Sequence, residues 1–434
     1  MATKIIVLDD DPTGNQTVHS CPLLTRWSEE NLASGLDAPS SLMFILSNTR
    51  ALEPEGAAAV TREICRNLKS VLSRRNQPAL FVSRSDSTLR GHYPVETDVM
   101  AEELGPFDAH FLVPAFFEGG RVTLEGVHYI RENCKLLRTD QTEFARDSVF
   151  GYSTSYLPDY VEEKTHGRIK ADEVARIPIL ASADEYYERI VGLAGNRCVA
   201  VDTQGYDDLR LFASAVMRAA ASGKRFLFRS AASILSALAA LPPQPTPPEE
   251  MWRLRRGPAP GAVIVGSHVK RTTEQLGGLL REPGVKALEL DVSLLPEQSE
   301  RAVRALRDGV AAAHAQGKTA VVYTSRTERS FPTAQARLQF GEAVSDALVQ
   351  VVRSLPATTS FLISKGGITS NDVLSDGLEL AICTVVGQII AGCTVVTTPE
   401  GHRLPRLPVV IFPGNVGGPN GLVEVYRLLD KGRE

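Results

Sequence analysis

Three consecutive aspartates, Asp9, Asp10 and Asp11, follow directly on the first apolar run, Lys4-Ile5-Ile6-Val7-Leu8, and lead into the turn-forming Pro12-Thr13-Gly14. Like charges crowded at a strand's C-terminal end repel unless a cation, a substrate hydroxyl or neighbouring Arg and Lys groups offset them. That end of a strand is where an open α/β sheet places its ligands. A second polar loop, Ser83-Arg84-Ser85-Asp86-Ser87-Thr88-Leu89-Arg90-Gly91-His92, follows the predicted strand Leu80 to Val82. It supplies two guanidiniums, a carboxylate and several hydroxyls. Arg pairs bidentately with a carboxylate, and Asp and Ser take up sugar hydroxyls, so the set suits a small polyhydroxy acid. Asn48-Thr49-Arg50 and Pro114-Ala115-Phe116-Phe117-Glu118-Gly119-Gly120-Arg121 are of similar type. For Arg50 or Arg121 taken singly, a surface ion pair is the simpler role. His19 and His92 lie close to the polar loops, but a lone histidine is more often a hydrogen-bonded scaffold residue than one that orients substrate.

The C-terminal half repeats a different device: predicted strands that end in glycine or small residues and run into a helix. Val263-Ile264-Val265 leads to Gly266-Ser267-His268, Phe361-Leu362-Ile363-Ser364-Lys365 to Gly366-Gly367-Ile368-Thr369-Ser370-Asn371-Asp372, and Val409-Val410-Ile411-Phe412 to Pro413-Gly414-Asn415-Val416-Gly417-Gly418. Glycines let the backbone approach an anion closely, and the free N–H groups of the next helix supply positive potential. One such loop is commonly just a tight turn, whereas several on one sheet edge describe a phosphate cradle. Lys365 is placed either to neutralise phosphate oxygens or to end its strand as a solvated lysine. Gly317-Lys318-Thr319 imitates the tail of a P-loop, but the upstream glycine is missing and the tripeptide joins a helix to a strand, the reverse of the P-loop order.

These loops need a scaffold, and the chain supplies two. Up to about residue 230, short β-rich runs (Ile5 to Leu8, Leu42 to Leu46, Leu80 to Val82, Phe111 to Val113, Val199 to Val201, Phe226 to Phe228) alternate with amphipathic segments such as Ala57 to Leu72. Residues 133–166 are less periodic and read as an insertion over the sheet. A proline-rich stretch, 241–261, then separates a second series: Ala262 to Val265, Ala287 to Leu290, Ala320 to Tyr323, Phe361 to Ile363, Cys393 to Val396 and Val409 to Phe412, with helices over Ser299 to His314 and Thr333 to Val352. The expected architecture is α/β, two lobes with mainly parallel sheets and a ligand cleft between them. The expected domains are 1–240 and 262–434, with a linker over 241–261.

The 434 residues suffice for two or three cores, and a formal net charge of −4 gives no basic footprint for nucleic acid. Cys21, Cys65, Cys134, Cys198, Cys383 and Cys393 show neither CxxC nor zinc-ligand spacing, so reduced, mostly buried thiols are expected. No His/Asp/Glu cluster points to a structural metal, and the metal ligands stay unassigned. No apolar stretch approaches transmembrane length and Met1 leads at once into a strand, which predicts a cytoplasmic protein.

The motifs DDDPTGNQTVH, SRSDSTLRGHYP, PAFFEGGR, VGSHVKRTTEQL, SKGGITSND and FPGNVGGPNGL, in this order over almost the whole chain, resemble the four-carbon acid sugar kinase family. The resemblance implies an N-terminal sugar-acid-binding domain, a C-terminal nucleotide-binding domain, and ATP- and Mg²⁺-dependent phosphorylation of threonate, erythronate or their oxo forms. It implies nucleotide contacts from Ser267, Gly366, Gly367, Ile368, Thr369 and Gly414, and substrate binding by the aspartate-rich and RxDSTLRG loops. Ser85 stands where many relatives have Thr, and Asp-Pro-Thr-Gly replaces Asp-Phe-Thr-Gly in the first loop.

On this reading Arg84 or Arg90 takes the substrate carboxylate, with Ser87 and Gly91 beside it. Asp10, Asp11 or Asp86 orients and deprotonates the attacking hydroxyl, and closure of the lobes excludes water. The expected partners are a small acid sugar and ATP, with no nucleic acid and no membrane; a homodimer is allowed. Two alternatives compete. Asp9-Asp10-Asp11-Pro12-Thr13 also fits the DxDxT pattern of haloacid-dehalogenase-type phosphatases, with Asp9 as nucleophile, but that reading leaves the glycine loops without a purpose. A non-catalytic sensor would bind acid and nucleotide and make no ADP.

Overall fold

The computed structural model describes residues 3–132, 135–326, 331 and 333–431, and it divides the chain into two units, Met1–Pro243 and Gln244–Glu434. In the first unit the strands are β1 (Lys4–Asp9), β2 (Cys21–Leu24), β3 (Leu42–Leu46), β4 (Ala79–Arg84), β5 (Ala109–Val113), β6 (Arg121–Leu124), β7 (Val127–Glu132), β8 (Lys135–Arg138), β9 (Ala175–Ile177), β10 (Arg197–Val201) and β11 (Phe226–Ser230). Eight of them lie in the order β2-β3-β1-β4-β11-β5-β10-β9, every pair parallel. Parallel strands covered on both faces read as unbroken apolar runs, as in Ile5-Ile6-Val7-Leu8 and Leu42 to Leu46, which are buried throughout.

The crossover from β3 to β4 is the helix Pro54–Arg75. Proline at its start has no N–H to waste, and Ala57, Thr61, Ile64, Cys65, Leu68 and Val71 repeat at helical spacing as its buried face. Asn76, left-handed at φ 50°, ends it.

The segment read as an insertion begins earlier than expected, as the antiparallel sheet β6-β7-β8. Beyond it Ala145, Tyr152, Leu157, Tyr160 and Val161 pack with Leu89, Tyr93, Leu112 and Ala200, which anchors the segment to the parallel sheet.

The second unit contains β12 (Ala262–Val265), β13 (Val285–Leu290), β14 (Thr319–Thr324), β15 (Leu362–Lys365), β16 (Ile382–Ile390), β17 (Cys393–Thr397) and β18 (Pro408–Phe412), in the order β13-β14-β12-β15-β18-β17-β16. Pairing is parallel as far as β18 and antiparallel through β17 and β16. The proline-rich stretch expected as a linker is packed here from Gln244 onward. Met251 is fully buried in this unit's core. Gln244 Nε2 donates to Gln388 O at 3.0 Å, and Arg256 Nη1 to Thr359 O at 2.9 Å. Prolines stiffen this segment, but its apolar and guanidinium side chains find partners on the second unit.

The five described cysteines, Cys21, Cys65, Cys198, Cys383 and Cys393, are buried; Cys134 lies outside the described residues. No helix among the described residues is long and apolar enough to cross a membrane.

Candidate functional site

Strands β1 and β4 are parallel neighbours with Asp9 opposite Arg84, so the aspartate loop and the Arg84–His92 loop leave the sheet at the same edge. That register turns a chain of like charges into a network. Arg84 Nη1 donates to Asp9 Oδ1 at 2.9 Å. Arg50, from the loop after β3, grips Asp10 through Nη2 and Nε at 2.5 and 3.1 Å and reaches Asp11 Oδ2 at 3.3 Å. Ser85 Oγ meets Asp10 Oδ2 at 2.5 Å. Arg50 is thus an internal counter-ion for two aspartates, not the surface pair expected of it.

The three aspartates have distinct surroundings. Asp9 is fully buried, and burial, reinforced by the charges of Asp10 and Asp11 against the pull of Arg84, raises it to about 7. A methyl group on Gly14 would stand 2.1 and 2.2 Å from its two oxygens, so the Gly14 backbone lies directly over the carboxylate. Attack by Asp9 on a phosphate would require that backbone to move away, a geometric objection to a phosphatase nucleophile here. Asp10 is 1 % exposed and saturated by Arg50 and Ser85. Asp11 keeps 22 % of its side chain exposed; burial opposes its charge, but Arg50 and hydrogen bonds from Thr13 outweigh that and hold it below the usual carboxylate range.

Asp86 accepts from Thr88 and from Arg90 Nε and Nη2 at 2.9 and 3.2 Å. Burial alone would raise it, but Arg50, Arg90 and these hydrogen bonds hold it well below the ordinary range. Arg84 is committed to Asp9 beneath Gly14, so of the two arginines expected to take a carboxylate only Arg90 borders open space. Gly91 takes φ +117°, and a Cβ there would sit 2.3 Å from Ser85 Oγ and 2.7 Å from Arg229 Nη2. Only glycine leaves room for that contact.

Three side chains of the segment after β5 hold three successive carbonyls of this loop. His128 Nε2 bonds Ser87 O at 2.8 Å, Tyr152 Oη donates to Thr88 O at 2.8 Å, and Tyr160 Oη donates to Leu89 O at 2.9 Å. A carbonyl can only accept, so Nε2 carries the His128 proton and Nδ1 accepts from Thr123 Oγ1 at 3.0 Å. Burial lowers His128 to about 4, keeping it neutral.

With an unfolded value near 6.5, the unfolded chain binds the extra proton first as pH falls. The stability that neutral His128 provides is complete above about 6.5 and drains away between 6.5 and 4, by roughly 3 kcal/mol. His128→Gln is therefore expected to flatten the fall in unfolding free energy over that window; an unchanged slope would refute this account.

Asp86, Arg90, Tyr160 and Arg229 line one cleft with Leu89, Leu112, Pro114 and Ser230. Ser87, expected among the substrate ligands, does not line it and contributes its main-chain carbonyl to His128. Arg229 was not foreseen: it lies inside β11, read only as an apolar strand. It donates to Glu96 Oε2 and Ser83 Oγ from Nη1 at 2.5 and 2.8 Å, and to Ser85 Oγ from Nη2 at 2.8 Å. An arginine within a buried strand demands a counter-ion, and that was the available signal. Arg121 is partly buried: its Nη1 donates to Gly119 O, its Nε has no partner among the described residues, and no ion pair of its own is formed among them. His19 and His92 are scaffold residues, their Nε2 atoms bonded to Pro242 O at 2.8 Å and Leu52 O at 3.0 Å.

In the second unit the parallel neighbours β12, β15 and β18 bring their three loops together. A Cβ on Gly266 would be 2.1 Å from Thr369 Oγ1, one on Gly366 3.1 Å from Ser267 Cβ, and one on Gly414 2.9 Å from Ser267 Oγ. Thr272 Oγ1 bonds Ser267 Oγ at 3.1 Å and Gly414 O at 3.0 Å. Ser267, Gly366, Thr369 and Gly414 therefore share one site, with Gly367 partly buried and Ile368 67 % exposed beside them.

Lys365 meets neither expectation in full. It is fully buried, burial lowers it to about 7, and its Nζ donates to Pro413 O and Gly414 O at 2.6 and 3.1 Å. It is a brace for the Pro413–Gly414 loop, not a solvated strand end.

Among the described residues there is no group of three His, Cys, Asp or Glu side chains able to hold a metal ion.

Residues 5–238 match the family model of a sugar-binding N-terminal domain, and residues 262–422 that of a nucleotide-binding C-terminal domain. A D-erythronate kinase of Heliobacterium modesticaldum (strain ATCC 51547 / Ice1) is 26 % identical over 218 residues, covering 48 % of this chain and 46 % of that protein, so the match spans under half of either. Two solved structures share the fold: a protein from Salmonella typhimurium LT2, with a TM-score of 0.68, 17 % identity and 98 % of each chain covered, and Haemophilus influenzae protein HI1011, with a TM-score of 0.64, 18 % identity, 98 % of this chain and 100 % of that one. Two domain models in this order, over more than half of the residues, together with the motif series, identify the chain as a member of the four-carbon acid sugar kinase family.

Proposed function

We propose that the protein is an ATP-dependent kinase that phosphorylates a hydroxyl of a small acid sugar of the four-carbon type, such as threonate, erythronate or an oxo-tetronate. The observation that carries this reading is the pairing, in one chain, of an arginine- and aspartate-lined cleft in the sugar-binding domain with a glycine-walled site at Ser267, Gly366, Thr369 and Gly414 in the nucleotide-binding domain.

Arg90 takes the substrate carboxylate and Gly91 leaves room beside it. Asp11, partly exposed and ionised, accepts a hydrogen bond from the attacking hydroxyl and aligns it. Asp10 and Asp86 act one step back: each is saturated by arginine and holds Arg50 or Arg90 in place. A carboxylate of low proton affinity is a weak base. Phosphoryl transfer tolerates this because its loose transition state needs alignment and charge neutralisation more than early proton removal. Ser267, Gly366, Gly367, Ile368, Thr369 and Gly414 hold ATP, whose phosphates the backbone can approach closely where side chains are absent. Mg²⁺, when bound on the phosphates, supplies charge neutralisation to the transferring group.

The test is ADP release from ATP and Mg²⁺ with a panel of threonate, erythronate, their oxo forms and branched relatives, against a no-acid control. ADP formation that depends on one acid is expected. Folded protein that binds ATP but forms no acid-dependent ADP across the panel would overturn the reading in favour of a sensor. Phosphate release from phosphorylated acids without ATP would instead favour a phosphatase.

A further inference from the structure

One cation of the second unit has no task in the account above. Arg326 follows β14, the parallel neighbour of β12, and so stands at the strand edge from which Gly266 and Ser267 leave the sheet. Its Nη2 donates to Ser267 O and to Thr273 Oγ1, both at 2.8 Å, bridging the Ser267 loop and the first turn of the helix Lys270–Leu279. Its remaining donors are unspent: Nε and Nη1 are both buried and neither has a hydrogen-bond partner among the described residues. Among the described residues no carboxylate lies within ion-pair distance. The charges that favour Arg326's own among the described residues are those of Glu289 and Tyr323, and the Glu289 side chain accepts from Tyr323 Oη at 3.4 Å. Burial works against the guanidinium's charge and outweighs the opposing pull of Glu289 and Tyr323.

A guanidinium cannot escape this cost by losing its proton under ordinary conditions, so buried donors without a partner among the described residues suit an acceptor brought by a ligand. An anion would satisfy the donors and offset the charge at once, and the neighbours say which kind. Ser267, whose carbonyl Arg326 holds, occupies the space that side chains on Gly366 and Gly414 would need, so Arg326 is tied to the point where the three glycine loops assigned to nucleotide phosphates meet. The braced lysine nearby, Lys365, has turned its Nζ to loop carbonyls and is not free to do this work.

We propose that Arg326 is the phosphate-binding cation of the nucleotide site: Nη2 fixes the Ser267 loop while Nε and Nη1 donate to the nucleotide's phosphate oxygens. The proposal rests on the ATP-binding reading given above and adds to it a residue outside the glycine loops. It gives the guanidinium two separable roles, anchoring the loop and meeting phosphate, and these respond differently to the number of phosphates on the ligand.

The test is titration of the full-length protein, and of Arg326→Gln and Arg326→Lys, with ATP, ADP and AMP in the presence of Mg²⁺, alongside ligand-free thermal melting. Loss of a phosphate contact predicts a penalty that grows along the series. Arg326→Gln is expected to weaken ATP at least tenfold and AMP by less than about threefold, collapsing the ATP-to-AMP affinity ratio, and Arg326→Lys is expected to recover part of it through its point charge. An equal loss for ATP and AMP would mean that Arg326 only positions the Ser267 loop, and it would overturn the phosphate contact. So would an unchanged ATP affinity. If Arg326→Gln gives no cooperative melt, Arg326→Lys carries the test alone: it keeps the charge and loses the planar donors, so a reduced ratio at an unaltered melting temperature supports the proposal and an unaltered ratio overturns it. Wild-type protein that binds no ATP would remove the kinase reading and this assignment together, whereas wild-type binding with a ratio unchanged in both variants removes only Arg326.

Discussion

Asp10→Asn is expected to destabilise the first unit by about 3 kcal/mol and to reduce acid-dependent turnover at least a hundredfold. The carboxylate is 1 % exposed and carries both Arg50 contacts, at 2.5 and 3.1 Å, together with the Ser85 hydroxyl. Asparagine can keep one accepting oxygen but brings an amide donor to face a guanidinium, and it removes the negative charge that balances Arg50 and, at 3.8 Å, Arg84. Breaking a buried pair leaves the surviving charge uncompensated, which is the costly case. Because 20 % of the Arg50 side chain still meets solvent, the figure belongs at the low end of the usual range for such losses.

Turnover should fall with stability because Ser85 also receives Arg229 and lies against Gly91, so a shift at Asp10 spreads into the cleft wall. Denaturant unfolding followed by a probe in the first unit measures the first quantity. The double variant with Arg50→Met should lose less than the sum of the two single losses, since the partners act as one unit. A loss below about 1 kcal/mol, or additive losses, would contradict the pairing.

The parallel strands were legible because they are continuous apolar runs. Leu42 to Leu46 and Ala262 to Val265 were read to the residue, and the helix expected over Thr333 to Val352 forms as Ala334–Arg353. Elements escaped where that signal is short or mixed. Strands β2 and β9 have only four and three residues. Strand β16 alternates buried and open positions through Ile382–Ile390, and a glycine at φ +146° interrupts its pairing. Sheet β6-β7-β8 is built from residues such as Lys135 and Arg138, whose polarity suggests a loop.

The two polar loops and three glycine loops announced themselves by composition, but the division of labour inside them did not. Nothing local says that Arg84 faces inward to Asp9 while Arg90 borders the cleft; that follows from the register of β1 against β4. Arg229 and Arg326 were hidden for a related reason. Each is a single charge at the end of an apolar run, and its meaning depends on which strand lies alongside.

Gly366→Ala should weaken ATP at least tenfold while leaving the sugar-acid site intact. Gly366 takes φ +124° and ψ 142°, a conformation that L-residues rarely adopt and that costs of order 1–3 kcal/mol when forced on one. The strain is compounded by crowding, since a Cβ there would stand 3.1 Å from Ser267 Cβ, 3.1 Å from Thr369 Oγ1 and 3.3 Å from Ser267 N. Relief by movement is restricted. Gly366 N donates to Phe412 O at 2.9 Å, its carbonyl accepts from Ser370 N at 2.9 Å, and Ser370 Oγ is bonded to Ser364. The yielding partner is therefore the Ser267 loop, displaced from the position at which it would meet nucleotide.

Acid binding is assigned to residues of another domain, so the acid's dissociation constant should stay within twofold of wild type. Gly277→Ala serves as the comparison, because nothing lies within 4 Å of a Cβ at that position in the helix Lys270–Leu279, where alanine is the better helix former. It should bind ATP as wild type does and melt no lower. ATP affinity within twofold of wild type in Gly366→Ala would show that the glycine loop does not shape the nucleotide site. An equal loss in both variants would show that any added methyl in this unit is felt, and the argument from φ and contact at Gly366 would then fail.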